Sequence, residues 1–426
     1  MVYNEIHTKR ILCRLCDTKK LTKVVNLQPI PLSENYFADQ SKSKASKRFP
    51  IDLYMCENCA HVQHVDIINP EVLWDGYTYF SAESSGMLNH FDEIVKFVTE
   101  KVKPEMGSLI VDIGSNDGSF LRAFKNMGFE VCGVDPADHA AKIANDNGIS
   151  TFVEIFDCNS AKNICDKFGK AAIITAFNVF AHADNLTEMA TAAKSLLLKD
   201  GVFIFEAQYL ADIVNKNLVA TFFHEHVSHH SIIPLRDFFD RVGMELIFVK
   251  HDDKIQHGSI IGGAQIKGQS RKIEKNVDEF VNFEKKMKLN KLITIQNFGI
   301  RLSKQKQAVK KFVQIAKSNG KSFAGFGAAR SAPTLISQFG LGEYIDFIVD
   351  DGLTKLDMYS PGDGIIVKNS DYLYQHIPEY TFILAWVHAY TIIKKHRQYL
   401  MAGGSFILLS PDTKIVNKNG VSDLIL

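Results

Sequence analysis

Four cysteines in two C-x-x-C pairs, Cys13-x-x-Cys16 and Cys56-x-x-Cys59, are the first residues whose type and spacing can do chemistry. Two such knuckles bring four thiolates to one tetrahedral point, the set that Zn²⁺ takes at a closed structural site. Four sulfurs leave no position for water, so the expected ion is structural. The stretch between the pairs exceeds the ~15–20 residues of a compact ribbon, so the module must fold across a wider excursion. A thioredoxin-like redox pair is the alternative, but neither pair opens a βαβ unit. Cys132, Cys158 and Cys165 lack ligand spacing and read as packing residues.

A second group is the run LIVDIGSNDGSF, residues 109–120. An apolar strand ends in Asp112 and Gly114, and the cluster Asn116-Asp117-Gly118 opens the next helix. Glycines there let a ligand approach the backbone closely. The spacing is not the G-x-G-x-x-G of dinucleotide binders, and no Lys-Ser/Thr follows to make a P-loop. Asp135, followed by Pro136, ends the next strand about 20 residues on, where a carboxylate can accept both ribose hydroxyls of an adenosine ligand. The pattern strand–D-x-G-x-x-x-G–helix–strand–D resembles the S-adenosylmethionine (SAM) pocket of class I methyltransferases.

The third group is histidine. Four of the chain's 15 fall between residues 224 and 230, in Phe223-His224-Glu225-His226 and the following SHHS (Ser228–Ser231). H-E-x-x-H metalloprotease chemistry is excluded because the second H of that motif would fall at 228, where Ser stands. His226 and His230 have the i, i+4 spacing of metal ligands on a helix, but no third ligand is evident. General acid/base chemistry fits better, since imidazole titrates near neutrality and an adjacent carboxylate can orient it. His182, in FNVFAHADNL, lies where a strand gives way to a loop, the usual place for ligands in a parallel sheet.

Such groups need a scaffold. SLIVDIG, EVCGVD, AAIITAF and GVFIFEA read as strands alternating with helical segments, and KSFAGFG, IDFIVDD, YTFILAW and GSFILLS repeat the alternation. Strand–helix alternation predicts parallel sheets with helices on both faces. Between the two series, residues 277–317 form a Lys-rich stretch of helical periodicity, and SKSKASKR (Ser41–Arg48) reads as a solvated loop. The expected class is α/β: a small N-terminal zinc-binding module (1–72), then two Rossmann-like parallel-sheet domains (73–248 and 249–426). With 49 Lys+Arg against 48 Asp+Glu, the net charge of +1 excludes a protein that coats nucleic-acid polymers. No apolar run approaches the ~18 residues of a membrane span. Charges early in MVYNEIHTKRILC argue against export, so a cytoplasmic location is expected.

At full length the chain resembles the SAM-dependent sugar C-methyltransferases that act on nucleotide-linked 4-keto-deoxysugars. The resemblance runs through Cys13-Arg-Leu-Cys16, PIPLSENYF, FPIDLYMCENCAHVQ, YTYFSAESS, IGSNDGSFL, GVDPA, NVFAH, FHEHVSHHS, GFGAARSAPTLI, VDDGLTK and LAWVHA. It implies a four-cysteine zinc at Cys13, Cys16, Cys56 and Cys59. SAM is then held by Asp112, Gly114, Asn116, Asp117, Gly118, Asp135, Pro136 and Asn178, and a second Rossmann-like unit helps to hold the nucleotide-sugar. It further implies His226 as base with Glu225 orienting the site. His182 and one of Tyr77 or Tyr79 are implied as oxyanion or hydroxyl contacts with His224 beside them, and Phe223, His257, Arg330, Lys355 and Tyr359 face the substrate, Arg330 or Lys355 towards its diphosphate. Departures cluster at the substrate motifs: Phe223 replaces a Tyr, and the segment from His257 to Gly262 lacks an Arg common in the family.

The expected function is C-methylation through an enolate made by a histidine base. The alternatives are O-methylation of a sugar or another small molecule, and a non-catalytic scaffold with a methyltransferase fold. The expected partner is a nucleotide-linked keto-sugar, with no membrane; the oligomeric state is left open, a monomer being plausible.

Overall fold

In the computed structural model, residues 6–74, 81–83, 85–253 and 255–424 are described. Tyr77 and Tyr79 lie outside them. The expected α/β architecture is present. The middle sheet has seven strands, in the order Met244–Asp252, Ser259–Ile266, Leu197–Gln208, Ala171–Phe177, Leu109–Ile113, Glu130–Val134, Thr151–Phe152. The last five run parallel, and their apolar runs are buried on both faces because helices cover both. The other two strands are antiparallel, a departure from a purely parallel sheet. They also carry the middle sheet past the boundary expected at residue 248, which falls inside Met244–Asp252. That strand pairs Met244 with Ile266, so hydrogen bonding extends the unit to Ile266.

The C-terminal sheet repeats this plan: Val367–Asn369, Ile345–Asp350, Phe323–Phe326, Tyr380–Ile383 and Ser405–Leu408 run parallel, followed by two antiparallel strands. In both sheets the order in which the chain adds strands reverses beside the first one, which opens a crevice at the strands' carboxyl ends. The Lys-rich stretch is two helices, Lys275–Lys286 and Leu292–Ser318. The break includes Lys288, whose φ of 55° cannot continue a right-handed helix. The first helix packs on the middle unit; the second reaches strand Leu21–Val25 of the zinc module. Gly299 permits that approach, since a Cβ there would lie 3.2 Å from Val25.

The N-terminal module does not close on itself. Its sheet runs Leu21–Val25, Leu53–Cys56, Val62–Gln63, and then Ser228–His229 from the middle unit, pairing Ser228 with Gln63 and His229 with Val62. Within the segment expected to be a solvated loop, Gln40–Lys44 is a short helix capped by Asp39, which accepts from the Ser41 and Lys42 amides at 2.7 and 3.1 Å. Buried Ser43 donates to the Ser360 carbonyl at 2.5 Å, docking this helix on the C-terminal unit. Leu15, Ile30, Phe222, Phe298 and Leu335 belong to one continuous core, so the three units are packed about a common interior. Among the described residues no helix is long and apolar enough to cross a membrane.

Candidate active site

The two knuckles converge. The Cys13 and Cys59 sulfurs are 3.6 Å apart, those of Cys16 and Cys56 3.5 Å, and all four lie within 4.8 Å of one another. A tetrahedron with Zn–S bonds of about 2.3 Å has edges of about 3.8 Å, so these sulfurs fit the ion. Hydrogen bonding to Cys56, with burial, pushes the Cys13 thiol up to about 12, and the neighbouring sulfurs raise Cys59 as well. A divalent cation relieves that crowding.

At the cofactor loop, strand Leu109–Ile113 ends in Gly114 at φ 71°, where a Cβ would lie 2.3 Å from Val179. Only glycine leaves that cradle open. Gly118, at φ 76°, precedes helix Ser119–Asn126. Asp135 accepts from the Asn116 and Ala137 amides, each at 2.8 Å, which fixes the carboxylate at the crevice. Asp117 accepts from the Ser119 amide at 3.0 Å and the Ala82 amide at 2.8 Å, while Asn116 accepts from the Ser81 amide. Burial pushes Asp112 up to about 8, against the hydroxyl of Thr175, which donates at 2.5 Å. Asn178, at φ 56°, follows strand Ala171–Phe177, and Pro136 is exposed beside Asp135. A fixed carboxylate beside a side-chain-free cradle suits the ribose and the extended chain of SAM.

The histidines separate. His226 and His182 stack at 5.1 Å, and Phe223 covers His226 at 3.9 Å. His226 Nδ1 donates to the Thr221 carbonyl at 2.8 Å, so Thr221 sets the ring's orientation where Glu225 was expected to. Burial lowers His226 to about 4, with Arg330 adding to it, and His182 is lowered by burial, His226 and Arg330. His224 turns away and meets the Phe49 carbonyl at 3.3 Å. His229 faces His64 at 3.3 Å, and His230 meets the Phe180 carbonyl at 3.2 Å. The segment is a turn leading into a strand, so His226 and His230 do not share a helix face.

Glu225 is 4% exposed, and one of its oxygens lacks a hydrogen-bond partner among the described residues. Its other oxygen is 3.9 Å from Arg330 Nε. The same Nε is 3.5 Å from Glu34, whose second oxygen accepts from Lys355 at 2.8 Å. The zinc module, the middle unit and the C-terminal unit therefore each place a charged residue in one cluster.

Residues 13–74 match the family model for a zinc binding domain, residues 89–249 that for a methyltransferase domain, and residues 254–411 that for the C-methyltransferase C-terminal domain. The chain belongs to the C-methyltransferase family. C-methyltransferase NovU from Streptomyces niveus is 29% identical to it over 406 residues, spanning 95% of this chain and 96% of NovU. A SAM-bound magnesium protoporphyrin IX methyltransferase from Synechocystis PCC 6803 is 15% identical, covering 45% of this chain and 85% of its own, with a TM-score of 0.32. A SAM-dependent methyltransferase from Clostridium acetobutylicum is 11% identical, covering 46% and 96%, with a TM-score of 0.35.

In this SAM-dependent C-methyltransferase, His257 stacks on Trp386 at 4.9 Å between the two α/β units, away from a hydrogen-bonding role in the charged cluster. Tyr359 pairs its backbone with Phe37, holding the segment that carries Glu34 and Tyr36. Sequence reasoning gave Glu34 no role, although it stands in PIPLSENYF, one of the segments that carry the resemblance. It also missed Glu206, 0% exposed, which binds His90 at 3.0 Å and accepts from Ser259 at 2.8 Å, its carbonyl accepting from the Asn178 amide. A carboxylate in the apolar run GVFIFEA was the available signal, because an acid there must be paired.

Proposed function

We propose that the enzyme methylates a carbon next to the ketone of a nucleotide-linked 4-keto-deoxysugar. The observation that carries this reading is the Thr221–His226 hydrogen bond. A carbonyl accepts only, so Nδ1 holds the proton and Nε2 keeps its lone pair. Burial lowers the ring's pKa to about 4, so it is neutral at physiological pH and ready to act as a base. When bound, SAM supplies a methyl group already activated on a sulfonium cation. His226 Nε2 takes the α-proton, and Phe223 and His182 hold the imidazole between them. Asp135 and the Gly114 cradle orient the cofactor, and Lys355 faces the diphosphate. The Cys13/Cys16/Cys56/Cys59 zinc keeps the module in place against residues 227–229.

The test is incubation with SAM and a panel of 4-keto nucleotide-sugars in deuterated water, read by mass spectrometry. A new carbon-bound methyl and substrate-dependent deuterium at the α-carbon are expected. Methyl transfer to oxygen with no exchange would replace this reading by O-methylation.

A further inference from the structure

We infer that Arg330 is a catalytic residue: it supplies the cation that stabilises the enolate oxygen, and Glu34 of the zinc module positions it. The inference rests on the enolate reading above, and it differs from the phosphate role that sequence alone suggested for Arg330.

Two cations of the C-terminal unit meet at Glu34, and they face different surroundings. Lys355 binds Glu34 at 2.8 Å and the Ala328 carbonyl at 2.9 Å, and it lies 4.6 Å over the ring of Tyr36. The Tyr36 hydroxyl is buried and has no partner among the described residues, which marks a polar ligand on the Lys355 side. Arg330, 3.5 Å from Glu34, also reaches a second carboxylate. Its Nε is 3.9 Å from Glu225, the residue preceding the base, and its charge helps to keep both His226 and His182 neutral. The guanidinium therefore belongs to the reaction centre.

The chemistry needs a donor there. When His226 takes the α-proton, the C–H electron pair moves into the enolate and leaves negative charge on the former carbonyl oxygen. The enolate carbon then forms its bond to the methyl group, the C–S bond breaks with its pair going to sulfur, and the carbonyl returns. Phe223, packed on the base, offers no hydroxyl. An arginine offers several fixed N–H donors and stays protonated throughout. Charge explains Glu34. Lys355 and Arg330 together outweigh the burial that would raise Glu34, so its carboxyl lies below its usual range and is ionised. That negative charge keeps a site holding two cations from repelling a third, the sulfonium. It also holds Arg330 against swinging towards the diphosphate.

The experiment measures α-proton exchange in deuterated water with a dTDP-linked 4-keto-6-deoxyhexose, with S-adenosylhomocysteine replacing SAM so that no methyl is transferred. Binding of dTDP by calorimetry is measured in parallel. Arg330→Met is expected to slow exchange by about 100-fold or more, the effect of losing an oxyanion donor, with dTDP affinity within about threefold of wild type. Lys355→Met is expected to weaken dTDP binding by about tenfold or more and to raise the KM for exchange accordingly. Glu34→Gln should lower the maximal exchange rate by about tenfold, with partial rescue in Glu34→Asp. Arg330→Lys keeps the charge and guards against a folding defect; its expected loss is intermediate. Wild-type exchange in Arg330→Met, or dTDP binding weakened as in Lys355→Met, overturns the proposal alone. No exchange in the wild-type enzyme overturns the enolate reading and this proposal together.

Discussion

Arg14, buried next to Cys13, donates through Nε to Asp184 at 3.1 Å, two residues beyond His182. Its Nη1 also reaches the carbonyls of His64 and Val227, the latter one residue past His226. One guanidinium thus links the first zinc knuckle to both loops that carry the stacked histidines.

Metal removal should therefore be felt at the reaction centre. Chelation, or Cys56→Ser, is expected to release one zinc per chain and destabilise by several kcal/mol, lowering the thermal midpoint by about 10 °C or more. Methyl transfer should disappear with it. A zinc-free enzyme with an unchanged midpoint and full turnover would show that the module is a passive appendage.

His226→Asn removes the base while leaving the cofactor loop untouched. Turnover and α-proton exchange should fall by about 10²- to 10⁴-fold, with SAM affinity within about twofold by calorimetry. Retained exchange would move the base to another residue, with His182 the first to examine.

Gly114→Ala tests the cradle. At φ 71° an alanine is strained by about 1 kcal/mol, and its Cβ would collide with Val179. SAM affinity should weaken by tenfold or more. Adding Val179→Ala should recover only part of this, because it relieves the clash and leaves the strain. Full recovery would mean that the backbone conformation is unimportant.

Acid should unfold the enzyme early. Burial lowers His64, His226 and His230 to about 4 and His224 to about 3, and it lowers His229 as well. Their unfolded pKa is about 6.5, so between the two values the unfolded chain binds more protons. Stability then rises with pH across that window and is lost as pH falls from about 6.5 towards 4. Each group contributes a slope of up to about 1.4 kcal/mol per pH unit. Thermal midpoints measured from pH 7 to 5 should drop steeply. His229→Phe should flatten the curve if its ring is packed well, and an unchanged curve would remove that residue from the set.

Local pattern made much of this protein legible. Ala171–Phe177 and Phe323–Phe326 are strands because short apolar runs bounded by polar turns have one stable environment, the middle of a covered sheet. The cysteine pairs and the Gly114–Asp135 loop were readable because each brings its groups together within one knuckle or one strand–helix–strand unit. The Lys-rich stretch was less so, since periodicity is nearly the same for one helix as for two, and only the backbone at Lys288 separates them. Which of four neighbouring histidines stacks on His182 was not readable from their spacing, and only the resemblance singled out His226. That depends on Ser228–His229 joining the zinc module's sheet, a pairing between residues far apart in the chain, which turns His229 and His230 inward and leaves His226 beside His182. Glu34, Glu225 and Arg330 likewise carry no mark of each other in the sequence. The sequence by itself determined the elements and the two local sites, because those depend on neighbours in the chain. Only the tertiary structure decided which charges share the reaction centre, because packing of three units around one core sets those distances.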